Sequence, residues 1–123
     1  MNKEDSKKKR AALPPEVAEE LDEYEDWIRK FQSGGVGEIK MQKLRLQLGT
    51  YAQRQEGVQM QRLKLPGGAL SSDQLTSLAD VAEEYAGGFI HFTTRQDAQL
   101  YYIKLERCPE MMRDLAAGGI TTR

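Results

Sequence analysis

Three short stretches of this chain combine apolar residues with polar and cationic side chains that could bind a ligand. The most informative is Gly88–Leu100, in which an apolar run is followed by Thr-Thr-Arg-Gln. A strand packed through that apolar run would present the polar groups at its end to a ligand. The candidate ligand-binding residues of this stretch are Thr93, Thr94, Arg95, Gln96 and Gln99.

Two further stretches lie upstream. In Met60–Gly68, Arg62 and Lys64 alternate with leucines, so a strand would carry both cations on the face opposite the leucines. From this alternation alone, a solvated basic face of an exposed sheet is the favoured interpretation of the two cations. The third stretch, Gly49–Gln55, contributes Tyr51 and Arg54.

In their order along the chain, the three stretches resemble the first ferredoxin-like half-domain of the siroheme-dependent nitrite/sulfite reductases. The family's motifs look like M-x-R-x-(K/R)-x-P-x-G and T-T/N-R-Q-x-x-Q, and they are matched here at 60–68 and 93–99. The loop at 49–55 looks like a third family motif. The resemblance implies siroheme as a cofactor, together with a [4Fe–4S] cluster in the full-length enzyme.

The resemblance also implies roles for particular residues. Siroheme carries several carboxylates and the family's substrates are anions, so cations, Arg above all, are expected to face one cavity. Arg62 would be the catalytic contact to the substrate anion. Cofactor-binding roles are implied for Tyr51, Arg54, Lys64, Thr93, Thr94, Arg95, Gln96 and Gln99.

Other residues near these motifs receive different interpretations. Tyr51 could equally be a core aromatic residue, and the lone histidine, His91, is not expected to be the axial ligand of the siroheme iron. Family members often carry Asn or Thr in place of Asp97, and often His, sometimes followed by Gly, near Tyr101-Tyr102. An inward carboxylate at Asp97 would repel those of siroheme, so we expect it to face solvent.

Composition excludes several classes of protein. A net charge of −1 with 30% charged residues gives no overall basic field for nucleic acid. No apolar run approaches the roughly 20 residues that span a bilayer, and the N-terminus is too polar for a signal peptide. The single cysteine, Cys108, excludes an internal disulfide, fits a cytoplasmic location and falls short of the four thiolates that usually hold an iron–sulfur cluster. No metal ligand is therefore expected in this chain.

Periodicity and breaker residues predict the elements. Apolar residues at helical spacing and Gly or Pro at the boundaries predict helices, and alternation predicts strands. The prediction is a helix over 16–32, a strand or extended segment over 40–48, a loop over 49–57, a strand over 58–65, a helix over 72–86, strands over 89–93 and 99–105 around a turn at 94–98, and a helix over 109–117.

From residue 58 the order is strand-helix-strand-strand-helix, a ferredoxin-like split βαβ without its last strand. The predicted class is α+β: a ferredoxin-like half-domain with an N-terminal helical extension and both internal helices on one face of the sheet. The predicted division is a disordered basic tail over 1–12, the N-terminal helix and extended segment over 13–48, and the half-domain over 49–123.

The functional expectation is the N-terminal part of an assimilatory nitrite/sulfite reductase. It would contribute siroheme and substrate contacts to the six-electron reduction of sulfite to sulfide or of nitrite to ammonia, with sulfite slightly favoured. Its partners would be the remainder of the reductase and an electron donor, ferredoxin or a flavoprotein, and the isolated chain would be inactive. A separately encoded subunit is a second arrangement.

The alternative function is a non-catalytic ferredoxin-like module, a siroheme carrier or ligand sensor. An RNA-binding domain is disfavoured because the strands lack the aromatic pattern.

Overall fold

The helices of the described residues pack on one face of a four-stranded antiparallel sheet. The computed structural model describes residues 13–54, 57–65, 69–93 and 97–120. Its helices are α1 (Pro15–Gln32), α2 (Glu38–Gln47), α3 (Ser72–Tyr85) and α4 (Cys108–Ala117), with a 3₁₀ turn at Leu105–Arg107. Its strands are β1 (Thr50–Ala52), β2 (Val58–Lys64), β3 (His91–Phe92) and β4 (Asp97–Lys104). Within these ranges no helix has both the length and the apolar character needed to cross a membrane.

The sheet has the strand order β1-β2-β4-β3, and each neighbouring pair is antiparallel. Strands β2, β3 and β4 with α3 and α4 reproduce the predicted split βαβ, so the α+β ferredoxin-like half-domain is confirmed. Strand β1 lies on the outer side of β2, where a complete ferredoxin-like sheet has its last strand. The sheet therefore gains a strand from the N-terminal side of the half-domain.

The predicted helices over 16–32, 72–86 and 109–117 are confirmed to within a residue or so. In α1, Pro15 suits the first turn, and Leu21, Tyr24 and Ile28 are buried at helical spacing. Helix α3 begins with a capping box, in which Ser71 and Gln74 exchange side-chain to backbone hydrogen bonds.

The prediction of a strand or extended segment over 40–48 is wrong, because α2 occupies Glu38–Gln47. Met41 and Leu48 are buried and Leu44 is half-buried, a spacing that fits one helix face. Arg45 is buried on the same face, at 7% exposure, whereas Leu46 is exposed. The buried cation Arg45 and the exposed Leu46 hid the helical period.

Three smaller boundaries also differ from the prediction. The predicted loop over 49–57 contains β1, which pairs with β2 through Tyr51 and Met60. The strand predicted over 89–93 is only His91–Phe92, and Phe89 is 72% exposed. The strand predicted over 99–105 begins earlier, at Asp97, so the last two residues of the predicted 94–98 turn belong to β4, and residues 94–96 lie outside the described residues.

Candidate anion-binding face

The helix-free side of the sheet, called here the open face, carries the cations of the Met60–Gly68 stretch. In β2, Gln59, Gln61 and Leu63 are buried against the helices, so the alternating residues point the other way. Strand register then places partners from the other strands on that same side. The open face includes Tyr51, Met60, Arg62, Lys64, His91, Asp97, Gln99 and Tyr101.

Arg62 lies at the centre of this face. Its guanidinium carbon is 5.8 Å from the centroid of the Tyr51 ring, within range of a cation–π contact. Its Nε is shielded from solvent and has no hydrogen-bond partner among the described residues. A shielded donor without a partner is costly, and a ligand carboxylate or oxyanion would satisfy it once the half-buried side chain turns towards the ligand. Arg62 and its neighbouring donors therefore fit an anionic ligand such as the siroheme implied by the resemblance.

Gln99 lies directly opposite Arg62 in the pairing of β2 with β4. The Tyr101 hydroxyl donates a hydrogen bond to Gln99 Oε1. In this orientation the Gln99 amide Nε2 is the group that remains to donate. His91 lies opposite Gln99 on β3, and its ring meets that of Tyr101 edge-on, with 6.2 Å between centroids. Arg62 and Gln99 thus form one row of donors across two strands.

Lys64 lies opposite Asp97 at the end of the same face. We expected Asp97 to face solvent, but it is half-buried and on the side that carries the cations. Because the two residues are register partners, the carboxylate lies beside a lysine and its repulsion of an anion is partly offset. The open face is therefore of mixed charge at this end.

The remaining predicted site residues are divided between described and undescribed parts of the chain. Arg54 is exposed after β1, and Thr93 is half-buried at the end of β3. Thr93 closes the hairpin: its N–H donates to the Asp97 carbonyl at 2.9 Å, and its Oγ1 accepts from the Asp97 N–H at 3.3 Å. The predicted roles of Thr94, Arg95 and Gln96 lie outside the described residues.

Sequence reasoning missed Tyr101 as a member of the open face. A weak signal was available, because Tyr101 follows Gln99 by two positions in a strand and so shares its face. Its contact with Gln99 could not be read from the sequence, since it depends on the local geometry of β4.

The opposite side of the sheet holds buried polar side chains that hydrogen-bond to one another and to the backbone. The Thr50 hydroxyl donates to Gln61 Oε1 at 2.6 Å, and Gln61 Nε2 donates to the Leu48 carbonyl at 2.8 Å.

Burial, with the nearby Glu106 carboxylate, raises the pKa of the Cys108 thiol to about 12. A buried protonated thiol is a poor metal ligand, and the described residues contain no converging group of metal-binding side chains. Neither this thiol nor its surroundings fit a [4Fe–4S] cluster.

Comparison with known proteins gives a consistent match. The profile of the family described as "Nitrite/Sulfite reductase ferredoxin-like half domain" matches residues 51–118. The assimilatory ferredoxin-dependent nitrite reductase of Haloferax mediterranei is 32% identical over 83% of this chain, and the match covers 17% of that protein. A chloroplastic ferredoxin–nitrite reductase of Arabidopsis thaliana is 40% identical over 61% of the chain, covering 13% of that relative.

Relatives named for sulfite occur as well. The sulfite reductase [ferredoxin] of Mycobacterium tuberculosis is 35% identical over 51% of this chain and 11% of its own length. Among solved structures, the Mycobacterium tuberculosis NirA protein superposes with a TM-score of 0.63 and 26% identity, over 72% of this chain and 19% of that one. The chain thus spans less than a fifth of the length of each of these proteins.

Proposed function

Because the chain belongs to the nitrite/sulfite reductase ferredoxin-like half-domain family, we propose that it is the part of a siroheme-dependent reductase that contacts siroheme and the substrate anion. The observation that carries the proposal is the shielded, unpartnered Nε of Arg62 on a helix-free sheet face. The small share of each relative that the chain covers supports its being one part of a longer enzyme.

The roles we propose follow from position on the open face. Arg62 is the contact to sulfite or nitrite, because its planar guanidinium can donate two hydrogen bonds to an oxyanion and offset negative charge that develops during reduction. Lys64 and Gln99 bind siroheme carboxylates, with Tyr51 packed against Arg62.

By resemblance, the siroheme-binding set also includes Arg54, Thr93, Thr94, Arg95 and Gln96. Of these, Arg54 and Thr93 are described, and the hydrogen bonds of Thr93 to Asp97 fix the hairpin that ends beside Lys64. This gives Thr93 a positioning contribution in addition to any contact with the cofactor.

Siroheme, with a [4Fe–4S] cluster in the full-length enzyme, would supply the redox chemistry when bound. The cluster's ligands would come from outside this chain, which has a single cysteine. This chain's part is to bind, orient and neutralise charge. The relatives' names include ferredoxin-dependent reductases, which supports ferredoxin over a flavoprotein as the electron donor.

The test uses the reductase that carries this segment, purified with siroheme, whose content per protein is read from visible absorbance. Lys64→Gln and Gln99→Leu should each lower siroheme content. Lys43→Gln is the matched control, because Lys43 is an exposed cation on α2, outside the open face. Unchanged siroheme content in both open-face variants would overturn the cofactor-binding role.

A second measurement addresses the reaction. Turnover of sulfite and of nitrite by the same enzyme, with reduced ferredoxin as donor, identifies the substrate that this segment serves. Siroheme binding without turnover of either anion would instead support the alternative, a non-catalytic siroheme carrier or sensor.

A further inference from the structure

Strand β4 contains one more residue than its partner where it passes the open face. Gln59 pairs with Ile103 and Gln61 pairs with Leu100, so Met60 lies opposite two residues, Tyr101 and Tyr102. This two-against-one arrangement is a β-bulge. Tyr102 has φ of +62°, in the left-handed region that residues other than Gly rarely adopt.

The bulge has a direct effect on which side chains face which way. Leu100 and Ile103 are three residues apart, yet both are fully buried on the helix-covered side. An uninterrupted strand would send one of them to the open face. The extra residue keeps both in the core, while Tyr101 shares the open face with Gln99 by ordinary alternation and is half-buried there.

Gln53 holds the bulge from the neighbouring hairpin. The backbone N–H of Tyr102 donates to Gln53 Oε1 at 2.7 Å, and the Gln53 N–H donates to the Val58 carbonyl at 3.1 Å. The N–H that the bulge removes from the strand ladder is therefore paired by a side chain. This contact links the segment after β1 to the conformation of Tyr101-Tyr102.

The geometry points to Tyr101 and Gln53 as positioning residues that orient the Gln99 amide beside Arg62. Gln53 pairs with the backbone N–H of Tyr102 and so holds the bulge directly after Tyr101, and the Tyr101 hydroxyl donates to Gln99 Oε1. Gln99 then presents Nε2 as its donor to an anionic ligand. This inference rests on the proposed function and adds to it residues that do not themselves contact the ligand.

The first test compares Tyr101→Phe with Tyr102→Phe in the siroheme-loaded reductase. Tyr101→Phe removes only the hydroxyl that contacts Gln99 and should weaken siroheme retention about two- to ten-fold, the worth of one hydrogen bond. Tyr102→Phe is the matched control, because it removes an exposed hydroxyl from the same bulge. Equal losses in both variants, or none in Tyr101→Phe, would overturn the inference.

The second test separates orientation of Gln99 from general structural damage. In nuclear magnetic resonance spectra of the 123-residue chain, Tyr101→Phe should move the side-chain NH₂ signals of Gln99 while the melting temperature stays unchanged. Gln53→Leu should move the same signals and speed exchange of the Tyr102 amide. In the reductase, the double variant should lose less siroheme retention than the sum of the two single losses, since both act through Gln99.

The outcomes distinguish this inference from the proposed function. If Lys64→Gln lowers siroheme content but Tyr101→Phe leaves the Gln99 signals and siroheme retention unchanged, the proposed function stands and the positioning role is wrong. If the Gln99 signals move but neither Lys64→Gln nor Tyr101→Phe affects siroheme, then the open face does not hold siroheme and both are overturned.

Discussion

Arg45 and Arg62 lie on opposite sides of the same sheet, and each has an Nε without a hydrogen-bond partner among the described residues. Arg45 is 7% exposed on the helix-covered side, where its Nη1 donates to Gln59 Oε1 at 2.8 Å. Arg62 is half-buried on the open face beside Tyr51. One arginine is enclosed by the protein's own core and the other is within reach of a ligand.

The comparison shows that an unpaired arginine Nε can have two different consequences. Arg45 is enclosed by the core, so its unpaired Nε destabilises the folded state. The favourable interaction of its positive charge with the C-terminal end of α2 partly offsets this cost. Arg62 Nε is shielded as well, but its side chain is half-buried on the open face, so we expect it to turn towards a bound anion and recover the cost. We therefore expect changes on the open face to alter function and changes on the covered face to alter stability.

The largest expected effect is on turnover after Arg62→Ala. Loss of one strong preorganised donor should lower turnover of the substrate anion by a factor on the order of 10²–10³, with siroheme largely retained. The free energy of unfolding should change by less than about 1 kcal/mol, because the residue is outside the core. Steady-state kinetics, visible absorbance and urea denaturation measure the three quantities.

A result in the opposite direction would break the comparison. If Arg62→Ala left turnover of both sulfite and nitrite intact while strongly destabilising the chain, Arg62 would be a structural residue like Arg45. Lys43→Gln serves again as the control for loss of a positive charge elsewhere.

The second prediction concerns alkaline pH and the covered face. Burial raises the pKa of Cys108 from its ordinary value near 9 to about 12, and burial raises the pKa of Tyr24 well above its ordinary range. Both groups are neutral when protonated, so the folded state retains their protons more tightly than the unfolded state. Their stabilisation is complete below about pH 9 and is lost as pH rises from there towards 12.

Urea denaturation between pH 8 and pH 11 tests this. Each group should lower the free energy of unfolding by about 1.4 kcal/mol per pH unit once its unfolded form ionises. Cys108→Ala should make the alkaline slope shallower. An identical slope in the wild type and in Cys108→Ala would show that the thiol is not held protonated by burial.

Features that depend on periodicity within one element could be predicted from the sequence, whereas features that depend on contacts between distant residues could not. Helix α1 and strand β2 were predicted because their apolar residues repeat at the period of one element. The same alternation placed Arg62 and Lys64 together on one side. Helix α2 was missed because Arg45 interrupts its apolar face, and only packing against Gln59 makes that position interior.

The bulge in β4 could not be predicted for a different reason. Nothing in Tyr101-Tyr102 marks an extra residue, since its existence depends on register against β2 and on the acceptor supplied by Gln53. Gln99 was identified through the family motif, not through periodicity. Its neighbours on the open face required the pairing of four strands, which is long-range information.

The third prediction compares two glutamines on the neighbouring strands β2 and β4. Gln61 is fully buried between Thr50 and the Leu48 carbonyl, whereas Gln99 is on the open face. Gln61→Leu keeps the volume but leaves buried partners unpaired, and should cost about 1–3 kcal/mol. Gln99→Leu should change stability by less than about 0.5 kcal/mol. Equal destabilisation in the two variants would contradict the division into covered and open faces.

The smallest net effect is expected from removing the covered arginine together with its partner. Arg45→Met alone leaves Gln59 Oε1 without its donor and should cost about 1–3 kcal/mol. Arg45→Met with Gln59→Leu replaces the pair by apolar groups of similar size, and should return stability to within about 1 kcal/mol of the wild type. A double-mutant cycle by urea denaturation measures the coupling. If the double variant were as unstable as the sum of the single changes, Arg45 and Gln59 would not be coupled, and the loss in Arg45→Met would not come from the unpaired Gln59 Oε1.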